Sequence, residues 1–236
     1  MLLDKYNVYR SDVLRMGYEK HYSKVLVVAK KLYAAWVSMK DGVVVSEMDI
    51  KGLGAKKGNF PKWGRDISIK ILTDLLTQEY TEDHYIRLLE EEKIKLETGD
   101  FDIRDLLVAA RLGKPLDEYK SKLCHVTIAK RLADKGVLIN PYMTLNYAIT
   151  NGQTPMEGVD ISEMGEHTKL DGQYYFNKVL MGQVESYLEV AFPHVDWSKY
   201  RYPRNLKRKP FRLMIKPKRL ILENIEEPEL VEIDEE

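Results

Sequence analysis

Residues able to carry out covalent chemistry are few and scattered in this sequence of 236 residues. It contains no glycine-rich phosphate loop followed by Lys-Ser/Thr, no Gly-x-Ser-x-Gly and no His-Glu-x-x-His. Cys124 and His125 are adjacent, but adjacent residues on a helix do not face each other and so do not form a catalytic pair. Asp49 and Asp102 are isolated carboxylates, and no two acids stand in an arrangement that predicts a metal site. The sequence therefore predicts no catalytic residue and no metal ligand, which is typical of a binding protein or of one part of an enzyme.

Cations interleaved with aromatic residues are more informative. A groove around a phosphate backbone needs positive charges and amphipathic rings on several separate elements. Taken alone, each cluster is typical of a solvated face, and a tyrosine pair at the start of a helix is typical of a core. Taken together, they predict a nucleic-acid surface made of Lys30, Lys31, Tyr33, Lys51, Lys56, Lys57, Lys130, Arg131, Tyr174 and Tyr175.

The first third of the chain contains the predicted contact residues from Lys30 to Lys57. The spacing of its apolar residues changes from that of strands to that of helices. Three segments rich in Val, Tyr and Trp predict strands over 16–22, 24–30 and 33–39, and Asp41-Gly42 predicts a tight turn into Val43–Val45. Three glycines and three lysines between 51 and 59 predict a basic loop too polar to be buried. After Pro61, apolar residues at helical spacing predict two helices, one covering 67–76 and one covering 82–97.

Later elements must position the remaining clusters. The sequence predicts a helix over 125–135 that ends at Gly136 in a left-handed cap, and extended chain from Val137 to Ile149. The longest predicted helix presents an apolar face from Phe176 to Ala191 and ends at Pro193. Beyond it, two short extended segments over 211–215 and 220–225 are predicted to form a pair about Pro217. The fold class predicted is α+β.

Charge is strongly segregated along the chain, although 37 basic and 37 acidic residues give a formal net charge of zero. Residues 20–65 carry ten Lys/Arg against Asp41, Glu47 and Asp49, whereas residues 66–113 carry six basic and twelve acidic residues. Ten basic residues and no acid lie in 197–222, followed by eight acids and no base in 223–236. The first block could face a polyanion, and the C-terminus is a basic segment followed by an acidic tail.

Cysteine usage and hydropathy limit the class of protein. One cysteine cannot form an internal disulfide, which favours a reducing intracellular location. The first ten residues have charges and no apolar run typical of a signal peptide, and no run of 18 apolar residues occurs. Neither export by a signal peptide nor a membrane span is predicted.

The order of these motifs resembles the C-terminal palm edge and thumb of family B DNA polymerases over roughly residues 14–192. Lys30-Lys31-Leu32-Tyr33 resembles the family's Lys-Lys-x-Tyr motif, and Asp49-Ile50-Lys51-Gly52-Leu53 with Lys56-Lys57 resembles its basic crossing from palm to thumb. Further similar patterns follow in the order expected for a thumb, at residues 114–120, at His125 to Ala133 with Lys130 and Arg131, and at Asp171 to Gln183 with Tyr174 and Tyr175. Cys124 stands where many members have Pro, and Gly54 where many have Glu.

The resemblance implies how the chain is divided and what it binds. It implies the C-terminal part of a palm over 1–65 and a thumb over 66–192. Beyond the resemblance, the charge pattern alone predicts a basic then acidic extension over 193–236. The resemblance also implies contacts to primer-template duplex DNA by the ten residues of the predicted surface and by His125. Nothing in residues 1–236 matches the family's two metal-binding aspartates or its nucleotide-binding helix, so Mg²⁺ is expected on a partner chain and no cofactor on this one.

The function implied is that of the small subunit of a split family B DNA-directed DNA polymerase, a nucleotidyltransferase. Its partner would be a large chain with the catalytic palm and fingers, and its location would be the cytoplasm in association with the nucleoid. The alternative is a stand-alone nucleic-acid-binding or scaffold protein with a thumb-like architecture. An unpaired apolar edge in the 16–50 region would favour the split enzyme, because such an edge is suited to docking on a partner sheet.

Overall fold

The structure is a computed structural model and describes residues 19–56, 58, 60–165, 168–203 and 212–214. Its first layer is a three-stranded antiparallel meander, here called the N-terminal sheet, in the order β1 (Lys20–Ala29), β2 (Leu32–Lys40) and β3 (Val43–Lys51). The predicted Asp41-Gly42 turn is confirmed. Both residues have positive φ, 49° and 80°, as a two-residue turn that follows the twist of the strands requires.

The first strand corrects one prediction. The sequence predicts separate strands over 16–22 and 24–30, but one strand runs from Lys20 to Ala29, and its register shifts at Tyr22 and again before Lys24. The irregularity accommodates Ser23 without ending the strand, as a bulge does. Residues 16–18 lie outside the described part of the chain. The two residues Lys30 and Lys31 are the turn between β1 and β2, and Lys31 has a φ of 66°.

Two helices follow the N-terminal sheet, as predicted. Helix α1 (Lys62–Thr77) buries Ile67, Ile71, Leu72, Leu75 and Leu76, and α2 (Glu82–Thr98) buries Tyr85, Leu88 and Leu89. Helix α3 (Cys124–Asp134) ends as predicted at Gly136, whose φ is 88°. There the amide groups of Gly136 and Val137 donate to the carbonyls of Ala133 and Leu132, the pair of bonds that defines a Schellman motif.

A second antiparallel sheet, here called the middle sheet, was only partly predicted. It consists of β4 (Val108–Arg111), β5 (Thr144–Asn151) and β6 (Glu157–Asp160), with β5 in the centre. The prediction of extended chain from Val137 is wrong for 137–143, which form a loop and a turn in which Tyr142 has a φ of 67°. The outer strands have four residues each, too short for their alternation to be read from sequence.

The long helix before Pro193 is confirmed and has an unexpected interior. It begins with one α-helical turn, α4 (Gly172–Tyr174), continues as a π-helix over Tyr175–Leu180 and ends as α5 (Met181–Ala191). Phe176, Val179, Leu180, Val184, Tyr187 and Leu188 are buried, as the apolar face predicted. Such π-helical turns are rare and are not marked by hydrophobic spacing.

The chain after this helix packs back on it. Trp197, in the 3₁₀ turn Trp197–Tyr200, is 1% exposed, and Tyr200 and Tyr202 contact the same core. Arg201 forms an ion pair with Glu185. It also donates a hydrogen bond of 2.5 Å to the carbonyl of Asn177, which lies in the π-helix. Residues 193–203 are therefore packed on the helical region, although the charge pattern predicts that they belong to an extension.

A short two-stranded sheet closes the described chain. Strand β7 (Lys169–Asp171) pairs with β8 (Arg212–Met214). The strand predicted over 211–215 is thus present within 212–214, but its partner is β7, and the predicted segment 220–225 lies outside the described residues. A single apolar core joins the N-terminal sheet, the helices and the middle sheet, so the predicted α+β class is confirmed. None of the helices in the described ranges is long and apolar enough to cross a membrane.

Candidate nucleic-acid interface

The structure brings four of the predicted contact residues together at one end of the N-terminal sheet. Lys30 and Lys31 are exposed in the β1–β2 turn, and Tyr33 on β2 lies directly opposite Lys51 on β3. Lys51 is exposed and Tyr33 is partly exposed. Three ammonium groups and a phenol thus belong to neighbouring strand ends, an arrangement that can follow a phosphate backbone.

Gly52 makes this approach possible. Its φ is 71°, and a Cβ at this position would lie 2.5 Å from the carbonyl oxygen of Lys31. Only glycine combines this conformation with so close a contact between two backbones. The glycine after Lys51 therefore allows the turn of Lys30 and Lys31, here called the lysine turn, to lie close to the end of β3.

Beside these lysines lies an open polar groove of about 530 Å³, lined in part by Lys20, Tyr22, Tyr33, Asp49 and Lys51. The Nζ atom of Lys20 lies 2.8 Å from Oδ2 of Asp49, and the hydroxyl of Tyr22 donates to the same oxygen at 3.0 Å. The hydrogen bond from Lys20 is the main cause that lowers the pKa of Asp49. Asp49 is therefore ionised at neutral pH and its charge is paired.

Lys20 and Tyr22 are site residues that the sequence did not predict. Both lie on β1 with one residue between them, and this spacing was the available signal because it places two strand residues on one face. The sequence could not indicate that both reach Asp49, since that contact crosses the intervening strand β2.

The basic loop after β3 is partly different from its prediction. Gly54–Lys56 is a 3₁₀ turn in which Lys56 is exposed, but Leu53 and Ala55 are only 5% and 3% exposed. The expectation that this segment is too basic to be buried is wrong for its apolar residues, which enter the core between the lysines. Lys57 lies outside the described residues.

His125 lies at the start of α3 against an aromatic residue that was not predicted as a site. Its ring is edge-on to that of Tyr119, at 6.4 Å between centroids, and the ammonium of Lys114 lies 5.1 Å from the centroid of the same Tyr119 ring. Burial lowers the pKa of His125, so the imidazole is neutral at pH 7. His125 is suited to a hydrogen bond or a stacking contact and does not add a positive charge.

Lys130 and Arg131 differ although they are adjacent on α3. Lys130 is exposed, whereas Arg131 makes hydrogen bonds through Nε to both carboxylate oxygens of Glu163 at 3.1 Å and through Nη2 to the carbonyl of Gly158 at 3.2 Å. Lys135 also contacts Glu163, at 2.5 Å. Arg131, more than Lys135, lowers the pKa of Glu163 to about 2. The charge that Arg131 could offer to DNA is therefore largely offset within the chain.

The tyrosine pair belongs mainly to the core. Tyr175 is fully buried, and its hydroxyl accepts a hydrogen bond from the amide of Ile149 at 2.9 Å, so a direct contact to DNA does not fit its position. Tyr174 is partly exposed and packs on Gly152, where a Cβ would lie 2.7 Å from that of Tyr174. Asp171 accepts hydrogen bonds from the amides of Tyr174 and Gly152, which fixes the start of the helix beside β5.

Metal-ligating and nucleophilic side chains do not gather into a reactive centre in the part of the chain that the structure describes. Within the described ranges, no group of three or more His, Cys, Asp or Glu side chains is placed to hold an ion. Burial raises the pKa of Cys124 to about 11, so this thiol is protonated and unreactive at neutral pH.

Comparison with known proteins agrees with this architecture. The model of the family described as DNA polymerase family B matches residues 6–195. A DNA polymerase of Pyrococcus horikoshii is 25% identical over 190 residues, which are 79% of this chain and 15% of that protein. DNA polymerase 3 of Saccharolobus solfataricus is 28% identical over 162 residues, which are 67% of this chain and 20% of that protein.

Solved structures give the same result for the fold. The structure of the family B DNA polymerase from Pyrobaculum calidifontis matches with a TM-score of 0.58 at 24% identity, over 74% of this chain and 22% of that one. The matched residues thus span 15% to 22% of the length of these three polymerases. Because the family model covers most of its residues, the chain belongs to DNA polymerase family B.

Proposed function

We propose that this chain is the small subunit of a split family B DNA polymerase and supplies the palm edge and thumb that hold primer-template duplex. Membership of the family supports a function related to DNA synthesis. In this proposal the palm edge is 1–65, the thumb is 66–192 and the extension is 193–236, although residues 193–203 pack on the thumb. A large partner chain would carry the catalytic residues and the Mg²⁺ ions, and the assembly would work in the cytoplasm on the nucleoid.

The observation that carries the proposal is the edge of the N-terminal sheet. Among the described residues, β1 and β3 each pair only with β2, so each has one side without a neighbouring strand. The edge strand β1 exposes Val25 and Val27, which are 47% and 59% exposed, and the β2–β3 hairpin exposes Val43 and Val44, at 64% and 80%. The second half of this ten-residue edge strand, from Val25 to Ala29, is apolar and is suited to pairing with another sheet. This feature favours the split enzyme over the stand-alone binding protein.

The DNA contacts in this proposal are positioning contacts. Lys30, Lys31, Tyr33 and Lys51 would hold the backbone near the primer end, with Lys56 and Lys57 following the phosphates, while Lys130, His125 and Tyr174 would act from the thumb. Arg131 and Tyr175 would act indirectly, since one is paired with Glu163 and the other is buried. Alignment of the primer matters because a misplaced hydroxyl loses much of the rate gained from proximity.

The test is capture of the partner followed by primer extension. The tagged full chain is used to isolate bound proteins from its native cells, and the captured large chain is assayed with Mg²⁺, nucleotides and primer-template, with and without this chain. We expect extension only when both chains are present. Extension by the highly purified chain alone would overturn the proposal, as would a captured large chain that extends equally well without it.

A second arm of the same assay examines the lysine turn. The double variant Lys30→Ala/Lys31→Ala should weaken duplex binding by the assembled enzyme. It should also reduce the slope of log affinity against log salt by about 0.9 for each phosphate that is no longer neutralised. The matched control is Lys62→Ala/Lys70→Ala, which removes two exposed lysines of α1 and should leave the slope unchanged. Equal slopes for both double variants and the wild type would assign Lys30 and Lys31 to an ordinary solvated surface.

A further inference from the structure

The turn over residues 140–143 carries an exposed tyrosine in a backbone conformation that favours glycine. Tyr142 has a φ of 67°. The amide of Met143 donates to the carbonyl of Asn140 at 3.2 Å, which makes Tyr142 the second central residue of a β-turn. A left-handed residue at this position is usually glycine or asparagine, because a bulky side chain crowds the backbone there. The backbone of Tyr142 is therefore strained, and strain of this kind is concentrated at functional sites.

Arg111, the last residue of β4, fixes this tyrosine by two contacts. Its Nε donates to the carbonyl of Tyr142 at 2.9 Å, and its Cζ lies 5.5 Å from the centroid of the Tyr142 ring. The amide of Leu112 also donates to the carbonyl of Met143 at 2.9 Å, so the turn is anchored to the end of β4. One face of the ring is covered by the guanidinium, yet Tyr142 is 57% exposed. A flat group can therefore reach the opposite face of the ring.

The positive charge beside this ring is not offset by an acid within the described ranges. Arg111 forms no ion pair with the residues that the structure describes, in contrast to Arg131, which is held by Glu163. Lys114 lies over the ring of Tyr119 at 5.1 Å and likewise has no carboxylate partner in that part of the chain. Two cations, each on an aromatic ring, thus flank the end of β4. Positive charge next to exposed aromatic faces is typical of sites that bind single-stranded nucleic acid.

We propose that Arg111 and Tyr142 form a binding site for single-stranded DNA, in which an unpaired base stacks on the open face of the Tyr142 ring and Arg111 contacts an adjacent phosphate. Arg111 uses its Nε–H on the carbonyl of Tyr142, and its terminal nitrogens carry further N–H groups that can donate to phosphate oxygens. Membership of DNA polymerase family B makes DNA the nucleic acid.

The ring favours a single strand over a duplex. Bases inside a duplex stack on one another, whereas an unpaired base offers its face to an aromatic side chain. Stacking tolerates any sequence, because every base has a π-face. The inference goes beyond the proposed function, which assigns duplex contacts to other residues, and its test does not require the partner chain.

Binding of short oligonucleotides by the full chain tests this site. The probes are a fluorescent oligothymidylate and an abasic strand of the same length, which has the same phosphates but no bases. The wild type should bind the oligothymidylate more tightly than the abasic strand. Tyr142→Gly should weaken oligothymidylate binding about fivefold or more, the lower end for losing one stacked base, and should leave the abasic strand unaffected. Tyr142→Phe keeps the ring and should bind both probes like the wild type.

Two further variants separate stacking from charge and from fold. Arg111→Gln should weaken both probes and reduce the slope of log affinity against log salt by about 0.7 for the phosphate that is lost. Tyr80→Ala is the matched control, since Tyr80 is also exposed but has the ring of His84, and not an arginine, stacked on it at 4.0 Å. It should leave both affinities unchanged. Glycine suits the left-handed turn, so Tyr142→Gly should resist urea at least as well as the wild type, and its weaker binding then cannot be due to unfolding.

Equal affinity of the wild type for the two probes would overturn the proposal, as would a Tyr142→Gly variant that binds oligothymidylate like the wild type. If Tyr142→Gly binds oligothymidylate normally but captures less of a partner protein, the turn is a protein contact and the proposal is wrong. The probes are single strands and the assay contains no second chain. Failure of the duplex grip or of partner capture would therefore count against the proposed function and not against this site.

Discussion

At the scale of single residues, neighbouring cations of this chain have different uses. Lys30 and Lys31 are exposed on a turn, whereas Arg131 is held by Glu163, which Lys135 also contacts. A bidentate arginine–carboxylate pair whose acid is only 10% exposed is stronger than a pair fully in solvent. This cluster joins α3 to the 3₁₀ turn Ile161–Glu163 that follows the middle sheet, so its role is structural.

The cluster predicts a pH-dependent stability. The pKa of Glu163 is about 2 in the folded chain, below its ordinary 4.5, so its ion pairs stabilise the fold above about pH 4.5 and this contribution is lost as the pH falls towards 2. Glu163→Gln should therefore lower the free energy of unfolding by about 1–2 kcal/mol at pH 7, discounted because Arg131 and Lys135 are half exposed. Urea unfolding between pH 7 and pH 3 measures the difference, which should shrink as the pH falls.

The control for this measurement is Glu118→Gln, which neutralises an exposed acid in the 3₁₀ turn Leu116–Glu118. It should change stability little at any pH. A deficit for Glu163→Gln that stays constant from pH 7 to pH 3 would show that the amide costs stability for a reason other than the missing charge.

At the scale of elements, the π-helix and a glycine determine how the helices meet. Val179, in the π-helical segment, packs directly on Gly64 of α1. The carbonyl of Asn177 in the same segment accepts from Arg201, so a backbone group of the irregular turn is paired by the chain that follows. The close approach therefore depends on a glycine on one helix and on an irregular turn in the other.

This contact predicts opposite effects for two glycine substitutions. In Gly64→Ala the new Cβ would lie 2.5 Å from Cγ1 of Val179, and this overlap should cost about 1–3 kcal/mol despite the better helix propensity of alanine. In Gly182→Ala, on the exposed side of α5, the nearest atom lies 3.8 Å away, so the gain in helix propensity should stabilise the chain by up to about 1 kcal/mol. Thermal and urea unfolding of both variants check the two signs, and a stabilised Gly64→Ala variant would contradict the packing described.

At the scale of the whole molecule, the N-terminal sheet, the helices and the middle sheet share one core, and the chain after Pro193 completes it. Trp197 contacts Phe192 and Tyr200 through its ring, and Lys93 of α2 lies over the rings of Phe176 and Tyr202. Segment 193–203 thus connects α2 with the last helix.

Truncation distinguishes this arrangement from a separate extension. A chain that ends after Pro203 should stay folded, whereas one that ends after Val195 lacks Trp197, Arg201 and Tyr202 and should be markedly less stable. Trp197→Ala in the full chain should cost about 3–5 kcal/mol, the range for removing a large buried aromatic side chain. Limited proteolysis and thermal unfolding compare the two truncations, and equal stability would mean that 196–203 add nothing to the core.

The sequence by itself determined the α+β class, the four predicted helical segments, the Asp41-Gly42 turn and the cap at Gly136, because each is specified by residues close together in the chain. It also indicated the family through short motifs in order, and thereby the cations at Lys30, Lys31 and Lys51. Tertiary structure alone decided which of the predicted site residues remain exposed: Tyr175 became a core residue that binds the amide of Ile149, and Arg131 became the partner of Glu163. It also decided the contact of Lys20 and Tyr22 with Asp49, since side chains from different strands meet only when the sheet sets their register. The spacing of residues in the sequence indicates which of them lie on the same face of a strand or helix. It does not indicate which distant residue forms a hydrogen bond with them.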